Sequence, residues 1–382
     1  MPVPTPSDLS AFNRRSFLRF AALATAGAAV PIIGESHLAL AQRRRFASTL
    51  PPPGNGAVMI DANENPLGPC ASARSAIVDL VPNGGRYEMP LTEKLVATIA
   101  AKENLPANNI AVYAGSSEPL QFAVLAFTSK DRSYVAADPG YEAGAAAAKL
   151  NGARVISVPL TKTYAHDVRA MVAADPQAGV IYICNPNNPT GTVTSREDIA
   201  YALANKPSGS ILLIDEAYIH FSDLTPTLDL VRKGKEVIVL RTFSKIYGMA
   251  GVRCGFAAGR PDLLARLQVY GQNSLSIFAL AAATSSLENA TVVPERKQFT
   301  GKLRAETLEW LTKQGYTVTT SQSNCFMVDT RRPSHDVILA MAKQEVYIGR
   351  PWPSWKTWVR VTVGNQNDMA MFQKSFSSVM NA

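Results

Sequence analysis

The stretch Val237-Ile-Val-Leu-Arg-Thr-Phe-Ser-Lys-Ile-Tyr-Gly-Met-Ala-Gly-Val-Arg253 opens with four apolar, mostly β-branched residues and ends on an arginine. Four such residues without polar alternation predict a short strand buried on both faces. Lys245 then falls between that strand and a glycine-bearing turn. Taken alone, it reads as a solvated charge at a strand end. The alternative is an amine held where chemistry occurs, because ligands of open α/β sheets gather beyond the C-terminal ends of the strands.

The same pattern recurs on both sides of this stretch. Ile110-Ala-Val-Tyr113, Tyr134-Val-Ala-Ala137, Val155-Ile-Ser-Val158, Val180-Ile-Tyr-Ile183 and Ile211-Leu-Leu-Ile214 all read as short strands. Helical patterns lie between or before them at Leu91 to Lys102, Glu118 to Phe127 and Gly144 to Lys149. The alternation predicts an α/β fold, a mainly parallel central sheet with helices on both faces. After about Ser276 the pattern changes. A long helix (Glu295 to Gln314) precedes strands at Tyr316 to Thr320 and Cys325 to Val328. A helix at Ser334 to Lys343, a strand at Trp358 to Val363 and a terminal helix follow. This predicts a smaller C-terminal α+β domain. The expected division is an export signal over 1–41, an N-terminal arm over 42–70, a large domain over 71–275 and a small domain over 276–382.

The N-terminal part follows its own logic. Asn13-Arg-Arg-Ser-Phe-Leu-Arg19 leads into an Ala-rich apolar run from Phe20 to Ile33, then Leu38-Ala-Leu-Ala-Gln42. A basic region, a short apolar region and a small-x-small site in that order make an export signal. The run is shorter than the roughly 18–20 residues that span a bilayer and is interrupted by Pro31, so no permanent membrane anchor is expected. The paired arginines before Ser-Phe-Leu resemble a twin-arginine signal. This implies export machinery as a partner and a periplasmic location, or a cytoplasmic one if the signal is not used.

Composition excludes several classes. The chain has 382 residues, 47% of them hydrophobic, enough to bury a large core. Its net charge of +8 is scattered apart from Arg43-Arg44-Arg45, which argues against nucleic-acid binding. Cys70, Cys184, Cys254 and Cys325 form no CxxC pair, and Cys184 and Cys254 sit in apolar segments, so buried free thiols are expected. The four histidines show no metal-ligand spacing, and no metal is expected. Ile211-Leu-Leu-Ile-Asp-Glu216 is similar to the acidic strand of a P-loop ATPase, but no GxxxxGK[ST] loop accompanies it.

Several strands end in polar residues: Ala114-Gly-Ser-Ser-Glu118, Cys184-Asn-Pro-Asn-Asn-Pro-Thr-Gly191, Asp215-Glu-Ala-Tyr218 and Arg241-Thr-Phe-Ser-Lys245. Singly each is weak, and Asp215 alone would be an acid capping the next segment. Together with Ala62-Asn-Glu-Asn-Pro-Leu-Gly68 and Arg253 they resemble, in order and spacing, the fold-type I pyridoxal-phosphate enzymes. The branch they resemble is the histidinol-phosphate aminotransferase-like class I/II aminotransferases, over roughly Ile60 to Gly364.

That resemblance implies pyridoxal 5'-phosphate as cofactor, with Lys245 as its Schiff-base lysine and proton carrier. Asp215 would partner the pyridine nitrogen, and Tyr218 and Asn188 the ring's O3′. Ser244, Arg253 and the backbone N–H groups of Ser116 and Ser117 would hold the phosphate, and Tyr141 would stack on the ring. Tyr87 would reach the neighbouring subunit's phosphate, which implies a homodimer. Arg360 would grip the substrate α-carboxylate with its fork, with Arg350 a second candidate.

The implied function is transfer of an amino group between an amino acid or related amine and a 2-oxo acid. The alternatives are a lyase, decarboxylase or racemase using the same cofactor, or a non-catalytic exported binding protein. The chain departs from the family pattern at Tyr87-Glu-Met-Pro90, at Gly115-Ser-Ser-Glu118 and beyond Tyr141, where Glu-Ala-Gly-Ala replaces a second aromatic. These substrate-side departures, with the export signal, point away from histidinol phosphate as substrate.

Overall fold

The computed structural model describes residues 49–271 and 274–382. The export segment 1–41 and the start of the arm lie outside the described residues. The strands are β1 (Val58–Ile60), β2 (Ile110–Tyr113), β3 (Ser133–Asp138), β4 (Val155–Pro159), β5 (Ala178–Cys184) and β6 (Ile211–Asp215). They continue with β7 (Val237–Thr242), β8 (Gly255–Gly259), β9 (Thr317–Val318), β10 (Cys325–Asp329), β11 (Val346–Ile348) and β12 (Trp358–Thr362).

Seven strands form one sheet in the order β2-β8-β7-β6-β5-β3-β4. All neighbours pair in parallel except β8, which is antiparallel to both β2 and β7. β5, β6 and β7 are buried at every position, as unbroken apolar runs require when helices cover both faces. A second core gathers around Ile60, Phe326, Val328, Ile348, Val359 and Phe372, over the sheet β12-β10-β9 and the parallel pair β1-β11.

Register places the chemistry. Cys184 pairs with Asp215 and Asp215 with Leu240, so the ends of β5, β6 and β7 lie level. Gly255 pairs with both Thr242 and Tyr113. Because β8 runs backwards, its start lies at the edge where its neighbours end. Arg253, two residues before it, is thereby brought to the same edge as Lys245.

Several features differ from expectation, the short strand β11 (Val346–Ile348) among them. β8 is absent from the sequence reading because Gly-Phe-Ala-Ala-Gly carries little strand propensity. The structure supplies the reason for its small residues: a Cβ on Gly255 would lie 2.6 Å from the Gly115 carbonyl carbon and 2.7 Å from the Arg241 carbonyl oxygen. The strand expected at Tyr316 to Thr320 shrinks to Thr317–Val318. Thr319 instead turns its hydroxyl to the Thr190 carbonyl, 2.6 Å away.

A helix over Ile277–Glu288 is apolar nearly all round and shows no amphipathic period, and it packs into the larger core against the helices Ala71–Leu80 and Pro90–Glu103. The boundary set at 276 therefore precedes a helix of the larger core. Within the arm, Val58–Ile60 is a strand of the second core. All four cysteines are free thiols, with Cys184, Cys254 and Cys325 buried. No helix among the described residues is long and apolar enough to cross a membrane.

Candidate active site

The loops at the carboxyl edge of the central sheet and the second core together line a cavity of about 610 Å³. Lys245, Asp215, Tyr218, Asn188, Tyr141, Ser116, Ser244, Arg253, Arg350 and Arg360 all face it. Their sequence positions span the chain, and the strand ends bring them together.

Asp215 ends β6 and is buried, with Oδ1 accepting from the Ala217 N–H at 3.0 Å and Oδ2 from the Tyr182 hydroxyl at 2.9 Å. Burial, then the charge of Asp215, pushes the Tyr182 phenol well above its ordinary range, so it stays a donor to that carboxylate. Lys245 is half-buried in the turn after β7, its Nζ 5.7 Å from the centroid of the Tyr218 ring. The Tyr218 hydroxyl accepts from Asn63 Nδ2 at 3.0 Å. Burial raises the Tyr218 pKa well above normal, the nearby Cys325 thiol adds to this, and Arg360 opposes it.

Asn188 sits in a loop closed by its own backbone bonds, from Gly191 N to Asn187 O at 2.7 Å and from Asn187 N to Thr192 O at 2.8 Å. Its Oδ1 accepts from Arg360 Nη1 at 2.9 Å. Arg360 also donates from Nη2 to the Asp61 carbonyl at 2.5 Å, and its buried Nε has no hydrogen-bond partner among the described residues. Burial pulls its guanidinium below the ordinary value.

At the other end of the cavity, the helix Ser117–Phe127 points its amino end inward, with Ser116 at its cap. Arg253 bridges this region, donating to the Ala114 carbonyl at 3.0 Å, to the Ala250 carbonyl at 2.9 Å and to Ser244 Oγ at 3.4 Å. It is held with φ +67°, a left-handed conformation that costs a non-glycine residue about 1–3 kcal/mol and persists only where its surroundings enforce it. Gly115, at φ +94°, lets the guanidinium pass: a Cβ there would collide with it. A helix amino end, two serines and an arginine together present donors and positive charge of the kind that suits a phosphate.

Two expected residues stand apart. Ser117 does not line the cavity; its hydroxyl lies 3.1 Å from the Tyr141 hydroxyl and so supports that ring. Tyr87 is 80% exposed and lies outside the cavity of its own chain. Arg350 lines the cavity, but its fork is filled by Glu142.

Asn63 escaped the sequence reading as a site residue. Held at φ +54°, it bonds Tyr218 and Thr362 at once, and only its place in the Ala62–Gly68 motif hinted at it. Arg241, between strand and lysine in the quoted stretch, faces away from the cavity and is buried in ion pairs with Glu216 at 2.8 Å and Glu103 at 3.0 Å. Leu50, Pro51, Pro52, Pro53, Met59 and Tyr347 give the cavity an apolar wall. No group of His, Cys, Asp or Glu suited to a metal ion occurs among the described residues.

These donors fit pyridoxal phosphate: an amine, a buried carboxylate, a hydroxyl and an amide side by side, and a phosphate cradle opposite. Comparison with known proteins agrees. The aminotransferase class I and II family model matches residues 57–376. An aromatic amino acid aminotransferase of Cutibacterium acnes is 32% identical over 83% of this chain and 92% of its own length. A histidinol-phosphate aminotransferase of Halalkalibacterium halodurans is 31% identical over 81% and 86%. The Sinorhizobium meliloti histidinol-phosphate aminotransferase, solved with pyridoxal-5'-phosphate, shares the fold with a TM-score of 0.78 at 24% identity, over 84% of this chain and 90% of that one. The chain belongs to the class I and II aminotransferases and is a pyridoxal-phosphate-dependent transaminase.

Proposed function

We propose that the enzyme transfers the amino group of an amino acid with an apolar or aromatic side chain, and that the residues of the cavity divide the work as follows. Bound pyridoxal phosphate supplies an aldehyde for amines to condense with and a ring that takes up electrons from the substrate Cα. Lys245 holds the cofactor and then moves the proton at the substrate Cα. Asp215 keeps a proton on the ring nitrogen. Tyr218 and Asn188 would orient the ring oxygen, Tyr141, braced by the Ser117 hydroxyl, would cover the ring face, and Ser116, Ser244 and Arg253 would hold the phosphate. Arg360 receives the α-carboxylate.

The apolar wall of Leu50, Pro51, Pro52, Pro53, Met59 and Tyr347 carries the substrate assignment. An apolar side chain desolvates there at a gain of about 25 cal/mol per Å² buried, whereas a phosphate monoester would lose its water without a partner. The aromatic amino acid aminotransferase relative supports the same class. The test is a set of single-turnover half-reactions followed by cofactor absorbance. Phenylalanine, tyrosine and leucine are expected to react at least about tenfold more efficiently than histidinol phosphate, a difference of about 1.4 kcal/mol in transition-state binding. The reverse order overturns the assignment.

We further propose a periplasmic homodimer exported folded through the twin-arginine signal. The site draws Lys245 from the central sheet and Arg360 from the second core, so it exists only in a folded chain. Cofactor loading would then precede translocation. Tyr87, Val78, Val81 and Met89 are each exposed, apolar side chains that a partner subunit could cover. Replacing Arg14 and Arg15 by lysine is expected to leave active enzyme in the cytoplasm, read by fractionation. Undiminished export of that variant would count against the signal.

A further inference from the structure

We propose that Glu142 sets the charge selectivity of the pocket by occupying its second arginine, holding down the affinity for substrates that carry an anion besides the α-carboxylate. The inference deepens the substrate reading above and rests on it. Arg350 and Arg360 both line the cavity and share one indole. Their guanidinium carbons lie 4.2 Å and 5.2 Å from the centroid of the buried Trp352 ring. Their neighbouring charges also act on each other, since Arg350 adds to the burial that lowers the Arg360 pKa.

Two adjacent forks would make a site for a dianion, because each guanidinium presents paired donors matched to a carboxylate or phosphate. One fork is already used. Arg350 Nη1 and Nη2 lie 2.5 Å from Glu142 Oε1 and Oε2, an arrangement with both oxygens engaged. Arg360, by contrast, meets only an amide oxygen and a carbonyl, and its Nε has no hydrogen-bond partner among the described residues. Of these two neighbouring arginines, only the Arg360 fork is thus left without a carboxylate partner among the described residues, to meet one carboxylate.

The position of Glu142 makes this more than a surface ion pair, which would contribute little. Glu142 directly follows Tyr141 at the start of the helix Ala143–Leu150, and its partner's side chain is only 17% exposed. An incoming second anion must displace a carboxylate already in bidentate contact and then share the space with it. Rejection by an occupied partner and a like charge is the repulsive half of specificity.

The test uses holoenzyme in single-turnover half-reactions with glutamate, which has a second carboxylate, and alanine, which is neutral beyond its own. For Glu142→Gln the ratio of glutamate to alanine efficiency is expected to rise about 10–100-fold, through tighter glutamate binding rather than a faster chemical step. Glu142→Asp, which keeps the charge, should stay near the wild-type ratio. Adding Arg350→Gln to Glu142→Gln should cancel the gain.

An unchanged ratio in Glu142→Gln, or a gain that survives loss of Arg350, overturns the proposal. Should Glu142→Gln fail to retain cofactor, Glu142→Ala takes its place. Loss of cofactor in every Glu142 variant, aspartate included, would assign the pair to structure and also overturn it. Because the readout compares glutamate with alanine, it is independent of whether wild type prefers phenylalanine to histidinol phosphate.

Discussion

Lys245→Ala is expected to lower kcat/KM for transamination by about 10⁴-fold and to leave cofactor bound only by non-covalent contacts. The size follows from the two tasks assigned to one amine. As proposed, it would condense with the cofactor's aldehyde and then carry the substrate's Cα proton, an acid–base contribution of about 10²–10⁴ alone. Its surroundings suit both tasks. The amine is half-buried, at the end of a strand that is buried throughout, and 5.7 Å from the Tyr218 ring centroid. The phosphate cradle of Ser116, Ser244 and Arg253 is untouched by the substitution. Dialysis should therefore remove cofactor from the variant faster than from wild type, without unfolding it. Steady-state kinetics and cofactor release read the two effects separately, and near-normal activity would refute the role of Lys245.

Asp215→Asn is expected to reduce kcat by about 10²–10³-fold while KM changes little. The substitution preserves size and removes only the charge. The wild-type carboxylate is pinned by the Tyr182 hydroxyl at 2.9 Å and the Ala217 N–H at 3.0 Å. A buried anion oriented by two donors is a preorganised charge, and one such stabilising interaction is worth about 10²–10³ in rate. Its effect falls on kcat because the protonated ring matters most when negative charge develops at the substrate. A variant with wild-type kcat would show that Asp215 only caps the turn to Tyr218. Tyr182→Phe offers a milder comparison, since it removes one donor and keeps the carboxylate.

Much of this site was legible in the sequence because of how parallel sheets are built. Unbroken apolar runs such as Ile211 to Ile214 and Val237 to Leu240 announce buried strands, and the polar residues that follow them share one edge. Lys245, Asp215, Asn188 and the Ser116 turn were readable for that reason, and the observed register brings them level. Other features depend on contacts between distant segments. Asn63 reaches Tyr218 and Thr362 across more than 150 residues, and no local pattern encodes that. Glu142 read as a departure from the family pattern, but its meaning lies in Arg350, which it meets only after folding. β8 stayed hidden because its residues answer to crowding by Gly115 and Arg241, not to strand propensity. The helix Ile277–Glu288 was missed for the opposite reason: buried nearly all round, it has no polar face to show a period.

The central claim is that the lysine of Val237–Arg253 carries the cofactor. Borohydride reduction of holoenzyme, followed by digestion and peptide mass spectrometry, tests it directly. The account predicts a phosphopyridoxyl group on the peptide containing Lys245 and on no other lysine. An adduct elsewhere, or none in a sample that transaminates, would contradict it.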